Sequence, residues 1–210
     1  PFFDTDERFK IPEFFAFCSR MLKPEPKERG QAPAMIVFCS FEQQFEIINE
    51  AKKHGLNNYI NLCFRKDFSP QVLKANMRIV GNTEYAMLLY RDKLPKFNNH
   101  GRMIFNCMDW VRDTETPKVH PTQKPLKLLE MLIEIFTDDD DVVIDPCAGS
   151  GVTLLAASNL HRRAYGFEIK KNFYNEAKKK ILVNIEPYFR FEPKEKMVKP
   201  ENNKSLVEDR

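Results

Sequence analysis

The residues from 142 to 153 read Val-Val-Ile-Asp-Pro-Cys-Ala-Gly-Ser-Gly-Val-Thr and decide the fold class of the chain. The apolar run Val142 to Ile144 is typical of a parallel strand that is buried on both faces. Gly149 and Gly151 allow the backbone to turn sharply and to approach a ligand, and the helix expected next presents unpaired N–H groups to that ligand. The stretch therefore predicts a strand–turn–helix unit that binds a small molecule.

Two carboxylates accompany this turn. Asp145 ends the strand at the carboxyl edge of the sheet, where open α/β folds bind ligands. Glu168 ends the next predicted strand (residues 164–168), 17 residues after Gly151, where a carboxylate can accept both hydroxyls of a ribose. Leu154 stands where the dinucleotide fingerprint has its third glycine, and the chain has no G-K-[ST] phosphate loop. These residues predict a nucleoside cofactor that carries no phosphates.

The rest of the chain alternates between strand and helix patterns, which indicates an α/β domain with a parallel sheet. Further strands are predicted at Ala34–Ser40, Asn58–Phe64 and Glu84–Tyr90. Helices are predicted at Pro12–Leu22, Phe41–His54, Leu126–Phe136, Val152–Leu160 and Asn172–Val183. Residues 93–119 follow no period and hold the single tryptophan, Trp110. An irregular segment of this length is usually functional.

Composition places the chain among ordinary globular proteins. It has 210 residues, of which 42% are hydrophobic and 30% charged. No apolar run is long enough to cross a bilayer, and acidic residues interrupt the start where a signal peptide would need an apolar core. We therefore expect a cytoplasmic protein without a membrane partner.

The five cysteines show no C-x-x-C pair, which predicts reduced thiols instead of disulfides or a zinc site. Four of them have apolar neighbours and are predicted to be small buried side chains: Cys18, Cys39, Cys63 and Cys147. The histidines are isolated, and no metal-ligand spacing occurs, so we expect no metal.

The formal net charge of +3 is too small to indicate nucleic-acid binding by itself. The stretches at 91–102 and 112–124 are basic and also carry Asn, His and Pro, a composition typical of a polar, irregular surface. From charge alone, these stretches are equally compatible with contact to DNA or RNA phosphates and with a solvated loop.

Two motifs give a more specific interpretation. Asp-Pro-Cys-Ala-Gly-Ser-Gly at 145–151 resembles motif I of the amino-methyltransferases, usually D-P-F-x-G-S-G, with Cys147 and Ala148 as variants. His-Pro-Thr-Gln-Lys-Pro at 120–125 matches the H-P-x-[QE]-K-P signature that precedes motif I in the permuted families. Over about residues 12–185 the chain is similar to the permuted, class β, S-adenosylmethionine-dependent DNA amino-methyltransferases of bacteria and phages.

The resemblance implies a Rossmann-like methyltransferase fold with a mostly parallel sheet, a permuted motif order and an inserted recognition segment. It divides the chain into a catalytic half (1–92), a target-recognition segment (93–119), a cofactor half (120–186) and a flexible tail (187–210). It implies S-adenosylmethionine as cofactor, with Glu168 on the ribose. The implied cofactor-binding residues are His120, Thr122, Gln123, Lys124, Asp145, Pro146, Cys147, Ala148, Gly149, Ser150, Gly151, Thr153 and Glu168.

The family's catalytic motif, [DNS]-P-P-[YFW], does not occur in the sequence. Its acceptors would take the amino hydrogens of a flipped base on which its aromatic side chain stacks. We interpret Pro1 and Phe2 as the last two residues of this motif, and expect the 210 residues to bind S-adenosylmethionine without methylating DNA. Glu84 and Tyr85 resemble a family element, often H-E-Y, in which Thr83 here replaces the histidine.

The resemblance implies methyl transfer to adenine N6 in double-stranded DNA. We predict that residues 93–119 contact this DNA and that Lys93, Lys96 and Arg102 bind its phosphates. Cytosine N4 is the second candidate target. The same residues are also compatible with a catalytically silent protein that binds the cofactor or DNA, and with an RNA methyltransferase. A cognate restriction endonuclease as partner, and a monomeric or homodimeric state, are left open.

Overall fold

The computed structural model describes residues 9–68, 71–183 and 185. Pro1 and Phe2, interpreted as part of the catalytic motif, and the tail at 187–210 lie outside the described residues. Within them the α/β alternation is present, and most strands and helices lie within a few residues of their predicted bounds.

The first half of the chain forms a four-stranded sheet. Its strands are β1 (Met35–Cys39), β2 (Asn58–Lys66), β5 (Thr83–Tyr90) and β6 (Cys107–Trp110), in the order β1-β5-β2-β6. β5 is antiparallel to both β1 and β2, whereas β6 is parallel to β2. β1, β2 and β6 therefore share one direction, and their carboxyl ends meet at one edge of the sheet.

Alternate residues of β5 pack on opposite faces of this sheet, as the period of a strand requires. Met87 and Leu89 face α1 (Ile11–Met21) and α2 (Gln44–Lys53), where Phe15 and Ile47 complete a buried core. The core on the other face consists of Leu62, Phe64, Ala86, Leu88, Trp110, Leu128 and Leu132. Both faces of β5 are covered, which explains its nearly continuous apolar sequence.

The second half contains the parallel pair β7 (Val142–Asp145) and β8 (Arg163–Gly166), with α4 (Val152–Asn159) between them in sequence. α5 (Lys171–Glu176) follows and continues into a π-helical turn, Ala177–Ile181. Together they form the helical segment that was predicted over 172–183, with a π-helical second part.

Helix α3 (Leu126–Phe136) joins the two halves. Leu128 and Leu132 pack under the four-stranded sheet, whereas Leu129 and Ile133 pack against α4. The i, i+4 spacing within each pair places each pair on its own stripe of the helix. One amphipathic helix thus packs against both the four-stranded sheet and α4.

Two features differ from the predictions. Residues 93–119 were predicted to be irregular, yet they contain β6, which pairs with β2 through Cys63↔Cys107 and its neighbours. Four residues are too few to show an alternation, so only tertiary pairing defines this strand. In addition, an unpredicted hairpin joins β2 to β5; it consists of β3 (Gln71–Lys74) and β4 (Ile79–Gly81).

Candidate active site

The glycine turn follows the end of β7. Gly149 and Gly151 have φ angles of +51° and +78°, in the left-handed region that residues other than glycine rarely adopt. The Gly151 N–H donates to the Ala148 carbonyl at 2.7 Å, which closes the turn. Asp145 supports its first part, since its Oδ1 accepts the Cys147 N–H at 3.0 Å.

Glu168 lies directly on this turn. Its Oε2 accepts the Gly149 N–H at 2.8 Å, and its Oε1 accepts the Lys170 N–H at 2.7 Å. Each carboxylate oxygen has two lone pairs, so each can still accept one hydrogen bond from a ligand hydroxyl. The carboxylate is therefore held in place, half-buried, with acceptor capacity to spare.

His120 brings the second motif to the same place. A Cβ built on Gly149 would lie 3.6 Å from His120 Cδ2, so the imidazole packs beside the turn. The ring also contacts Phe173, with the ring centroids 4.4 Å apart. Thr122 follows, with its Oγ1 3.0 Å from His120 Nδ1. The loop at 120–125 and the glycine turn thus form one structure.

Further side chains of this loop are engaged within the protein. Gln123 Oε1 accepts the Val119 N–H, and its Nε2 donates to the Pro117 carbonyl, both at 3.0 Å. Lys124 Nζ donates to Glu84 Oε2 at 2.7 Å. In this structure Gln123 and Lys124 hold the loop in position, whereas His120 and Glu168 contact the turn.

Comparison with known proteins identifies the family of this site. The family described as DNA methylase, N6_N4_Mtase, matches residues 4–179. The chain belongs to the N6/N4 DNA methylase family.

Individual members of the family are similar to this methylase chain. The type II methyltransferase M.HindIII of Haemophilus influenzae is 33% identical over 162 residues, which cover 71% of the chain and 51% of that protein. The DNA adenine methyltransferase YhdJ of Escherichia coli is 30% identical over 131 residues, covering 59% and 45%. The chain matches about half the length of each of these two relatives.

A solved structure confirms the predicted methyltransferase fold. The crystal structure of the M1.HpyAVI–SAM complex superimposes with a TM-score of 0.66 and 27% identity, covering 83% of either chain. The fold class and the permuted methyltransferase family expected from the two motifs are therefore correct.

The remaining predicted cofactor-binding residues of this methylase lie in or next to the turn and differ in their solvent exposure. Ser150 and Gly151 are buried, Pro146, Ala148 and Thr153 are half-buried, and Cys147 is exposed. The prediction that Cys147 is a small buried side chain is wrong, because the residue lies in the turn and not in the strand. Desolvation by surrounding residues and the nearby charge of Asp145 raise the pKa of its thiol to about 12, so the thiol stays protonated.

Gly166, which ends β8, supports the turn and was not predicted from the sequence. A Cβ on this residue would lie 2.7 Å from Leu154 Cδ1 and 3.0 Å from the Ala148 Cβ. Gly166 therefore allows β8 to pack closely against α4 and the turn, two residues before Glu168. The signal was present in the sequence, as a glycine just before the predicted ribose acid.

The structural role of Asp113 was also not predicted from the sequence. Its Oδ2 accepts the N–H of Leu126 at 3.0 Å, and its Oδ1 accepts the N–H groups of Glu115 and Thr116 at 3.1 and 2.9 Å. Desolvation opposes ionisation of this carboxyl, but the three backbone hydrogen bonds outweigh it and lower its pKa below the ordinary 3.8. Asp113 thereby ties residues 113–116 to the first residue of α3.

The three residues that were predicted to contact DNA differ in whether they have partners within the protein. Lys93 Nζ donates to the carbonyls of Pro26 and Lys27 at 2.6 and 3.3 Å. Lys96 pairs with Asp138, and its Nζ lies 3.6 Å from Asp141 Oδ2. Arg102, by contrast, is exposed. Two of the three cations are therefore engaged inside the protein.

In the part of the chain that the structure describes, no three His, Cys, Asp or Glu side chains cluster closely enough to hold a metal ion. None of the helices described is both long enough and apolar enough to cross a membrane.

Proposed function

We propose that the chain binds S-adenosylmethionine at the glycine turn and forms part of an enzyme that methylates adenine N6 in double-stranded DNA. One observation carries the proposal: Glu168 is held 2.8 Å from the Gly149 N–H, at a left-handed turn on the carboxyl edge of the sheet. This is the position from which an acid can accept the hydroxyls of a ribose.

The charges around the turn suit this cofactor better than a phosphate-bearing one. Asp145 and Glu168 are both carboxylates, and their charges would repel phosphate groups. They favour a cationic ligand instead. S-adenosylmethionine supplies an activated methyl group on a positively charged sulfur, and Asp145, Glu168 and the turn at 148–151 would hold it there.

Exposed apolar side chains flank the ribose acid. Phe167 and Ile169 are 53% and 85% exposed on either side of Glu168. Ligand sites are lined mainly by apolar and aromatic side chains around a few placed polar groups, and Phe167 and Ile169 beside Glu168 fit this pattern. We assign these two side chains to the nucleobase of the cofactor, while Glu168 fixes the ribose and the turn faces the methionine portion.

Adenine is favoured as target because the chain is similar to YhdJ, a DNA adenine methyltransferase. Cytosine N4 remains the second candidate, since the motif that contacts the target amino group is assigned to Pro1 and Phe2, outside the described residues. The proposal keeps residues 1–92 as the catalytic half, 93–119 as the recognition segment and 120–186 as the cofactor half.

In the recognition segment, the proposal relies on Arg102 for phosphate contact, because Lys93 and Lys96 have partners within the protein. We further infer a cytoplasmic enzyme, monomeric or homodimeric, with a cognate restriction endonuclease as partner. This partner is in keeping with the similarity to the type II methyltransferase M.HindIII.

The test is methyl transfer by the protein expressed from its complete gene. Unmethylated double-stranded DNA is incubated with methyl-labelled S-adenosylmethionine, and the labelled nucleosides are separated after digestion. Label in N6-methyladenine supports the proposal, and label in N4-methylcytosine supports cytosine as the target. Cofactor binding without label in either base would identify a silent binding protein.

A further inference from the structure

Three charged side chains form a half-buried cluster, here called the Glu84 cluster: Lys66, Glu84 and Lys124. Lys66 ends β2, Glu84 lies at the start of β5, and Lys124 belongs to the loop before α3. Glu84 Oε2 accepts Lys124 Nζ at 2.7 Å, and Glu84 Oε1 accepts Lys66 Nζ. The two lysine side chains are only 10% and 24% exposed, so this is not an ordinary surface ion pair.

Aromatic rings also lie close to the two ammonium groups. Lys66 Nζ and Lys124 Nζ lie 4.9 and 5.3 Å from the centroid of the Trp110 ring, and Lys124 Nζ is 5.0 Å from that of Phe38. Cations at these distances from aromatic centroids are attracted by the ring. Lys124 Nζ therefore interacts with Glu84 and with two rings at once.

Glu84 is ionised in this cluster. Burial of its carboxyl opposes ionisation, but the charges and hydrogen bonds of Lys124 and Lys66 outweigh burial and hold its pKa below the ordinary value. Two half-buried ammonium groups would repel each other without it. Glu84 is thus the group on which the positions of both lysines depend.

The cluster stands at the carboxyl edge of the sheet and reaches the cofactor loop through Lys124. Four residues before Lys124, His120 packs on Gly149 of the turn. The other two members of the cluster, Lys66 and Glu84, lie in β2 and β5. Trp110, which contacts both lysines, ends β6 in the proposed recognition segment. One carboxylate therefore connects the strands of the first half to the loop that closes the cofactor turn.

We propose that Glu84 is a positioning residue of the cofactor site, which acts through Lys124 to hold the loop at 120–125 against the glycine turn. Lys124 then serves the cofactor indirectly, through its bond to Glu84, and not as a ligand of its own. This inference rests on the proposed binding of S-adenosylmethionine at the turn.

A double-mutant cycle in the 210-residue chain separates indirect from direct action. Calorimetry measures the S-adenosylmethionine affinity of the wild type, Lys124→Met, Glu84→Gln and the double variant. If Lys124 acts through Glu84, each single change weakens binding about tenfold, and the double change weakens it no further, a coupling of about 1.4 kcal/mol. If Lys124 binds the cofactor directly, Glu84→Gln leaves the affinity unchanged and the proposal fails.

Two further variants control for loss of folding. Lys66→Met removes the other cation from Glu84 but leaves the loop anchored, so cofactor affinity should stay within about twofold of the wild type. Lys124→Arg keeps a donor for Glu84 and should restore most of the affinity that Lys124→Met loses. Equal loss of affinity in Lys66→Met and Lys124→Met would overturn the proposal, because it would indicate a general loss of stability.

The same measurements distinguish failure of the proposed function from failure of the positioning role. If the wild-type chain binds no S-adenosylmethionine, the proposed function itself fails. If it binds and the two single changes add independently, the cofactor site stands and only the positioning role of Glu84 is wrong.

Discussion

Gly166 has no room for a methyl group. The Cβ of an alanine would lie 2.7 Å from Leu154 Cδ1 and 3.0 Å from the Ala148 Cβ, so β8 and α4 would have to separate. We predict that Gly166→Ala lowers the free energy of unfolding by about 1–3 kcal/mol, the usual effect of overpacking. It should also weaken binding of S-adenosylmethionine, because Glu168 lies two residues further along. Thermal unfolding and calorimetry measure the two effects.

Gly81→Ala is the matched control for this change. The three atoms nearest to its new methyl group would all belong to the flexible side chain of Leu73, the closest at 3.3 Å, and Gly81 lies in the β3–β4 hairpin. Cofactor affinity should therefore not change. If Gly166→Ala and Gly81→Ala bind the cofactor equally well, close packing at Gly166 does not support the site.

At the scale of elements, Asp113 anchors the start of α3. Removing its carboxylate in Asp113→Ala leaves the N–H of Leu126 without this acceptor, which should cost about 1 kcal/mol of stability, as for other helix caps. Denaturant unfolding measures the change. Asp109→Ala is the control, since Asp109 pairs with Arg65 on the exposed surface and such pairs contribute little.

The effect of Asp113 depends on pH in a defined direction. Its folded-state pKa lies below the ordinary value of 3.8, so its stabilisation is complete above that value and is lost as the pH falls through the folded-state pKa. The stability of wild type and Asp113→Ala should therefore differ at neutral pH and converge in acid. A difference that persisted unchanged to low pH would show that the carboxylate charge is not what stabilises α3.

The elements show what the sequence could and could not predict. The bounds of α3 and β7 were predicted to the residue, because each has a strong apolar pattern; α3 buries its apolar residues against its neighbours, and β7 is half-buried. The β3–β4 hairpin was missed because Val72, Leu73, Ile79 and Val80 are apolar but exposed, so no alternation marks them. β6 exists through its pairing with β2 from 44 residues away, which no local pattern reveals.

The same limit applies to the site. The glycine turn and Glu168 could be predicted, since a strand–turn–helix unit and the strand that follows it are local in sequence. The partner of Lys124 could not, because Glu84 lies 40 residues earlier in the chain and only the folded sheet brings the two together.

At the scale of the whole molecule, the predicted DNA surface can be tested through salt dependence. Arg102→Gln should lower the slope of log affinity against log salt concentration by about 0.9 for a mixed-sequence duplex, the value for one phosphate contact. Lys96→Gln should leave the slope unchanged and lower the stability instead, because it removes the partner of Asp138 and Asp141. A flatter slope for Lys96→Gln than for Arg102→Gln would reverse these assignments.

The central claim is that the glycine turn and Glu168 bind S-adenosylmethionine, and calorimetry of the wild type, Glu168→Ala and Glu176→Ala tests it most directly. Glu176 is a matched control because it is also a glutamate, and its carboxylate pairs with Lys180 at the end of α5. We predict that the wild type and Glu176→Ala bind with the same affinity. Glu168→Ala should keep its fold by circular dichroism and lose about 1.5–3 kcal/mol of binding free energy, the contribution of hydrogen bonds to a charged group. A folded Glu168→Ala variant that binds as tightly as the wild type would contradict the account.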